Sequence, residues 1–140
     1  MRSLRGACHC GNITVVLETS VNALSLRACQ CSFCRKHGAR NASDTNGELR
    51  VTVSDEGALV RYRFGLGVTD FLMCRTCGVY VAATMPSGPG ILGTVNVNVL
   101  DDQGALPEAA EPMVYDGEGI PDRLARRARA WMPVTLGFGL

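Results

Sequence analysis

The sequence predicts an all-β domain, mainly of antiparallel sheets, with a short C-terminal helix. Three observations carry this. Apolar residues alternate with period two in several short stretches, as half-buried strands do. Sixteen glycines and six prolines punctuate those stretches with turns. Only near the end, from Pro121 to Met132, does the spacing become helical.

Asn12 to Glu18 is the first strand, with Ile13, Val15 and Leu17 on one face. Leu24, Leu26 and Ala28 alternate into Cys29, so a second strand delivers the chain there. Gly38 to Gly47 is polar and reads as a loop. Val51 and Val53 mark a third strand and Leu59 to Phe64 a fourth, broken by Gly65-Leu66-Gly67. Thr69 to Met73 runs into Cys74, and Val79 to Ala83 runs away from Cys77. Together they predict a hairpin with cysteines at its tip. Gly88-Pro89-Gly90 is a turn; it lacks the Gly-Lys-Ser/Thr ending of a phosphate loop. Val95, Val97 and Val99 alternate with Asn96 and Asn98, a strand with a polar opposite face. Asp101 to Gly119, rich in acids, glycine and proline, reads as a covering loop. Pro121 suits a first helical turn. In that helix Leu124, Ala128 and Trp131 are expected to pack inward, leaving Arg123, Arg126, Arg127 and Arg129 as the wet face.

The chain of 140 residues is expected to be one domain over 1–140. Its core spans about 4–100, followed by the covering loop at 101–119 and the helix at 120–133. A hydrophobic fraction of 46% with 19% charged residues is a globular composition. The formal net charge of +1 gives no drive toward nucleic acid or an anionic membrane. No apolar run reaches the length of a membrane span. Met1-Arg2-Ser3-Leu4-Arg5 is basic, but no hydrophobic segment follows it, so a cytoplasmic protein is expected.

The chemistry-bearing feature is cysteine. There are seven, and a disulfide framework would leave one over. They cluster as Cys8-His9-Cys10, Cys29-Gln30-Cys31-Ser32-Phe33-Cys34 and Cys74-Arg75-Thr76-Cys77. Neighbours in a Cys-x-Cys pair are poor disulfide partners, because alternate side chains of an extended chain diverge. Metal binding is the better reading. Zinc accepts tetrahedral sulfur coordination without redox chemistry, while an iron–sulfur centre is compatible with the same spacing. Gly11 and Gly78 directly follow Cys10 and Cys77, where they let backbone amides turn toward the sulfurs.

Cys8 with Cys10, and Cys74 with Cys77, are two-ligand halves without a third thiol nearby, so they are expected to complete each other as a closed site. Cys29, Cys31 and Cys34 supply three ligands in one segment and form a second site with an open position. Two zincs per chain follow. His37 could close the second site; His9 is expected to point away. An open zinc site is the catalytic pattern, because the metal can lower the pKa of a bound group, including a substrate thiol. Arg35, Lys36 and Arg40 follow the open site. They could capture carboxylates, offset the negative charge of three thiolates on zinc, or form a solvated loop.

Three segments together resemble the glutathione-dependent formaldehyde-activating enzyme family, which includes centromere-protein-V-like members. They are Gly6-Ala7-Cys8-His9-Cys10-Gly11, Cys29-Gln30-Cys31-Ser32-Phe33-Cys34-Arg35 and Phe71-Leu72-Met73-Cys74-Arg75-Thr76-Cys77-Gly78. The resemblance implies β-sheets around zinc knuckles. It implies a structural zinc at Cys8, Cys10, Cys74 and Cys77 and a catalytic zinc at Cys29, Cys31 and Cys34. It also implies a carbon–sulfur lyase chemistry, the reversible addition of a glutathione-like thiol to a small aldehyde such as formaldehyde. Arg35 is then the candidate for binding glutathione carboxylates. The alternative is a non-enzymatic zinc module for a protein or nucleic-acid partner.

Overall fold

Residues 1–139 are described by a computed structural model. In chain order the elements are β1 (Arg2–Ala7), β2 (Ile13–Thr19), β3 (Arg27–Cys29), helix α1 (Ser32–His37), β4 (Asn41–Ala42), β5 (Glu48–Val53), β6 (Leu59–Tyr62), β7 (Asp70–Cys74), β8 (Tyr80–Ser87), β9 (Gly90–Asn96), β10 (Glu111–Met113), helix α2 (Ile120–Ala130) and β11 (Met132–Phe138). The chain is mainly β and its pairing mainly antiparallel, as the sequence predicts.

One layer runs β1-β2-β5-β11. Ile13, Val15 and Leu17 of β2 and Leu49, Val51 and Val53 of β5 are each at most 1% exposed, while the residues between them are exposed or half-buried. Each buried side chain contributes about 1.5–3 kcal/mol. A one-residue slip would turn all six outward, so this face sets the register. The start of β11 pairs with β9 and joins this layer to a second one. There β9 also pairs with β8 and β4; β8 continues through β7 to β6, and β4 through β3 to β10. Leu72, Val81, Ala82 and Val95 pack from the second layer into one core with the β2 and β5 side chains.

The second layer is covered on its other face too. Phe71, Tyr80, Ala83 and Met85 form a separate cluster with Trp131 and Cys34. Strand β8 is thus buried on both sides over Tyr80 to Met85, and its register with β7 shifts between Leu72 and Met73. This second face is where the three-cysteine segment sits. Gly6 draws β1 against the end of the second layer. A Cβ there would lie 2.0 Å from the Val99 carbonyl oxygen, so only glycine permits the Gly6–Leu100 bridge just before Cys8.

The structure corrects several sequence expectations. The strand expected over Leu24 to Cys29 pairs only at Arg27–Cys29; Leu24 and Leu26 are buried without a ladder. Val97–Val99 is a 3-10 turn, because the Asn96 side chain accepts from the Asn98 amide and turns the chain. The polar stretch from Gly38 to Gly47 contains β4, held between β3 and β9. The stretch from Asp101 to Gly119 contains β10, parallel to β3. At α2 the expected polarity holds for buried Trp131 and exposed Arg129 but fails at three positions. Leu124 and Ala128 are exposed, and Arg127 is only 6% exposed, because the buried side of this helix faces a cavity rather than the main core. No helix among the described residues is long and apolar enough to cross a membrane.

Candidate metal centres and the adjoining cavity

Cys8 and Cys10 lie in the turn between β1 and β2, and Cys74 and Cys77 span the turn from β7 to β8. The two turns are built alike. Gly11 donates to the Cys8 carbonyl (3.0 Å) and Gly78 to that of Cys74 (2.8 Å), and the two glycines have φ of 86° and 79°. Side-chain-bearing residues rarely adopt that backbone, so glycine is required at both. The Ile13 amide donates to the Cys8 sulfur at 3.3 Å.

The four sulfurs lie within 4.8 Å of one another. Cys10 is 3.5 Å from Cys74 and 3.8 Å from Cys8. A tetrahedral zinc with bonds of about 2.3 Å sets its sulfurs about 3.8 Å apart. The donor set therefore fits one zinc ion and is too tight for a multi-iron cluster. No disulfide competes, since all seven cysteines are free. Burial pushes the Cys77 thiol up, but the amides of Cys10 and Val79 and the thiols of Cys74 and Cys8 outweigh it and bring it down to about 6.

The second cluster is local. Cys29 ends β3, Cys31 is the N-cap of α1, and Cys34 lies in its first turns. The Cys31 sulfur accepts from the Cys34 amide at 3.4 Å, so the cap that starts the helix also aims this sulfur. Gly38 closes the helix in a left-handed conformation. The three sulfurs lie within 4.8 Å of one another. Donation from Cys29 and then Cys34, together with the amides of Cys34 and Phe33, holds the Cys31 thiol down at about 2. Bonds to Cys29 and Cys31, then burial, push Cys34 up. The donors fit a zinc held by three thiolates.

A buried polar chain supports Cys34. Asn41 Nδ2 contacts its sulfur at 3.8 Å, the Tyr80 hydroxyl donates to Asn41 Oδ1 at 3.2 Å, and Asn96 Nδ2 donates to the Tyr80 carbonyl at 2.9 Å. Of these, Asn96 was legible in the sequence as part of a polar strand face and Tyr80 as a packed strand residue able to donate a hydrogen bond, whereas Asn41 left no trace.

His37 is not part of the sulfur group. It ends α1 with its ring 4.4 Å from that of Phe33. His9 is exposed and outside the four-sulfur group. Arg35 is exposed and donates to the Gln30 carbonyl at 3.0 Å. Arg40 is tied to Asn98 and Gln103, both at 2.6 Å. Neither Arg35 nor Arg40 lines the cavity described next.

The three sulfurs open onto a cavity of about 360 Å³. Its floor is the outer face of the second layer, with Asn41, Tyr80, Ala83 and Thr94. Phe64, Phe71 and Trp131 supply apolar wall. Arg27, the loop from Tyr115 to Glu118, and Arg123, Arg126 and Arg127 of α2 supply the charge. Glu118 takes two bonds from Arg126 (2.8 and 3.0 Å) and one from Arg123 (3.0 Å), and the Arg126 guanidinium lies 3.6 Å from the Tyr115 ring centroid.

The Arg126 bonds, with Arg123, hold the Glu118 carboxyl at about 2, against an ordinary 4.5. Screened by solvent at the cavity wall, that clamp is worth about 1–2 kcal/mol. Because the folded pKa is depressed, the stabilisation is full above about pH 4.5 and is lost as pH falls through about 2. Glu118→Gln is expected to lower the melting temperature at neutral pH by about 3–6 °C. The gap from wild type should close as the pH drops across that window. Equal melting temperatures at neutral pH would show that the clamp does not hold the loop.

A family model described as glutathione-dependent formaldehyde-activating enzyme matches residues 3–116. Among solved structures, the chain is similar to a crystal structure of a Rhodobacter sphaeroides protein. The two are 34% identical, over 78% of this chain and 99% of that one, with a TM-score of 0.60. No curated protein matches. The match to the family takes in both cysteine clusters and stops before α2 with its three cavity arginines.

Proposed function

Given that this chain belongs to the glutathione-dependent formaldehyde-activating enzyme family, we propose that it is a zinc-dependent carbon–sulfur lyase-type enzyme that reversibly joins a glutathione-like thiol to a small aldehyde. Cys8, Cys10, Cys74 and Cys77 hold a structural zinc, and Cys29, Cys31 and Cys34 hold a catalytic one. The observation that carries this reading is the contrast between the two sulfur sets. Four sulfurs gather at the turn tips, whereas three gather on the wall of a cavity with no histidine among them.

Zinc at the three-cysteine site would supply a position where a substrate sulfur is held as its thiolate at neutral pH. The rest is done by the chain. Cys31, aimed by the Cys34 amide, and Cys34, steadied by Asn41, fix the direction in which the substrate sulfur must enter. Phe64, Phe71 and Trp131 keep that sulfur in an apolar wall, where a desolvated thiolate is a stronger nucleophile. In the forward direction the sulfur lone pair forms the C–S bond to the aldehyde carbon. The carbonyl π pair moves to oxygen, which takes from water one proton in place of the one the thiol released to solvent, and the product is the S-hydroxymethyl thioether. The reverse breaks the same C–S bond.

Purified, zinc-loaded protein is expected to speed the exchange between formaldehyde, glutathione and their adduct, followed by exchange NMR. No acceleration over the spontaneous reaction, with glutathione or any of several other thiols, would overturn the reading.

A further inference from the structure

The charges around the cavity do not balance in place. Arg123 and Arg126 share Glu118, and Asp116, the other acid on the wall, is exposed and forms no ion pair. That leaves Arg27 and Arg127. Arg127 is 6% exposed, yet its partners are all uncharged. Nη1 donates to the Thr69 hydroxyl and contacts the Met85 sulfur at 3.8 Å, and the guanidinium carbon lies 4.1 Å from the Trp131 ring centroid. Among the described residues, its buried Nε has no acceptor. Burial, then repulsion from Arg126 and Arg123, draws its pKa down to about 10. A buried cation without a counter-charge is costly, and native proteins rarely keep one without use.

Arg27 is set in a similar way. Its Nη2 donates to Ser43 Oγ (2.6 Å) and Thr94 Oγ1 (3.2 Å), and Ser43 is itself held by the Ala130 carbonyl at the end of α2. Both guanidiniums line the cavity into which Cys29, Cys31 and Cys34 open. Glu118 acts on Arg127, and negative charge on Cys29 acts on both, from a distance, but neither gives these guanidiniums an acceptor.

We propose that Arg27 and Arg127 form a carboxylate subsite, so that the cavity selects thiols that carry a carboxylate. The proposal rests on the reading of the three-cysteine site as the place where a substrate sulfur is held. A planar fork of N–H donors suits a carboxylate, and such charge-assisted bonds are stronger than neutral ones. The role expected of Arg35 then falls to residues that share the cavity with the sulfurs. Arg27 lies within the part of the chain that matches the family and Arg127 lies beyond it, on α2, so the subsite joins a family strand to this chain's C-terminal helix.

The test is calorimetric binding to the full-length, zinc-loaded chain, with glutathione, glutathione diamide (both carboxylates as amides) and inorganic phosphate. Wild type is expected to bind glutathione at least about tenfold more tightly than the diamide. Arg127→Met keeps the length of the side chain against Trp131 and Met85 and removes the charge. It should cut that preference to about threefold or less, with diamide affinity and zinc content unchanged. Arg27→Met should do the same, and serves as the independent test if Arg127→Met does not fold. A preference retained in the folded variants overturns the subsite. So does phosphate binding more tightly than glutathione, which would make this a site for a free anion. If wild type binds both thiols equally, only the subsite fails; if it binds neither, the thiol-site reading fails with it.

Discussion

Cys74→Ser is expected to unfold the domain at physiological temperature, or to lower its melting temperature by about 10 °C or more. The sulfur of Cys74 is buried at 1% exposure and sits 3.5 Å from Cys10, a residue 64 positions earlier in the chain. A metal there ties the β1–β2 turn to the β7–β8 turn. Structural zinc contributes about 10–16 kcal/mol of folding free energy in small zinc domains. A domain of this size is stable by only about 7–21 kcal/mol in total. Losing even a quarter of the zinc contribution, one ligand of four, is therefore a large fraction of the whole. Serine also leaves a polar hydroxyl in a buried position shaped for sulfur. Thermal melts of wild type and variant, each prepared with zinc, decide the matter. A variant that melts within about 2 °C of wild type would show that the four-cysteine cluster carries no stabilising metal.

Cys31→Ser should behave in the opposite way. The three-cysteine segment bridges no distant parts of the chain: β3, the N-cap and α1 are contiguous, and the cluster lies on the outer face of the second layer. Serine is a good N-cap and can still accept from the Cys34 amide, so α1 should form. What is lost is one of three thiolates. The variant is expected to remain folded, with a melting temperature within about 3 °C of wild type. It should bind one zinc fewer and lose catalysis of the thiol–aldehyde exchange by at least about a hundredfold, roughly 2.7 kcal/mol in the barrier. Global unfolding would make this second cluster structural, and full activity would remove Cys31 from the chemistry.

The parts of the fold that were legible in the sequence are those with one wet face. β2 and β5 alternate because their other sides meet water, and the β7–β8 hairpin is announced by the two cysteines and the glycine at its tip. The rest was hidden for definite reasons. Helix α1 spans six residues, too few to show a period. Strand β11 contains Pro133 and Gly137, which blur its alternation of Met132, Val134 and Leu136. β4 has only two residues, yet it delivers Asn41 to the Cys34 sulfur.

Local clustering was enough to group the seven sulfurs into the four and the three that the structure brings together. The cavity was not readable, because most of its positive charge comes from α2. A helix with four arginines and scattered apolar residues reads as a basic surface. Nothing in its periodicity says that Arg127 turns inward, since an arginine is buried only where something else makes a place for it. Arg35 stood next to the sulfurs in sequence, but on α1 it points along the surface and bonds the Gln30 carbonyl.

The central claim is that the chain holds two different metal centres, one closed and one open to the cavity. The most direct test is zinc content by mass spectrometry and X-ray absorption, with wild type beside Cys31→Ser. Two zincs per wild-type chain are expected, falling to one in the variant. The lost zinc should be the one whose shell holds three sulfurs and one lighter, exchangeable ligand. A single zinc in wild type, or a second one whose fourth ligand is the His37 imidazole, would contradict it.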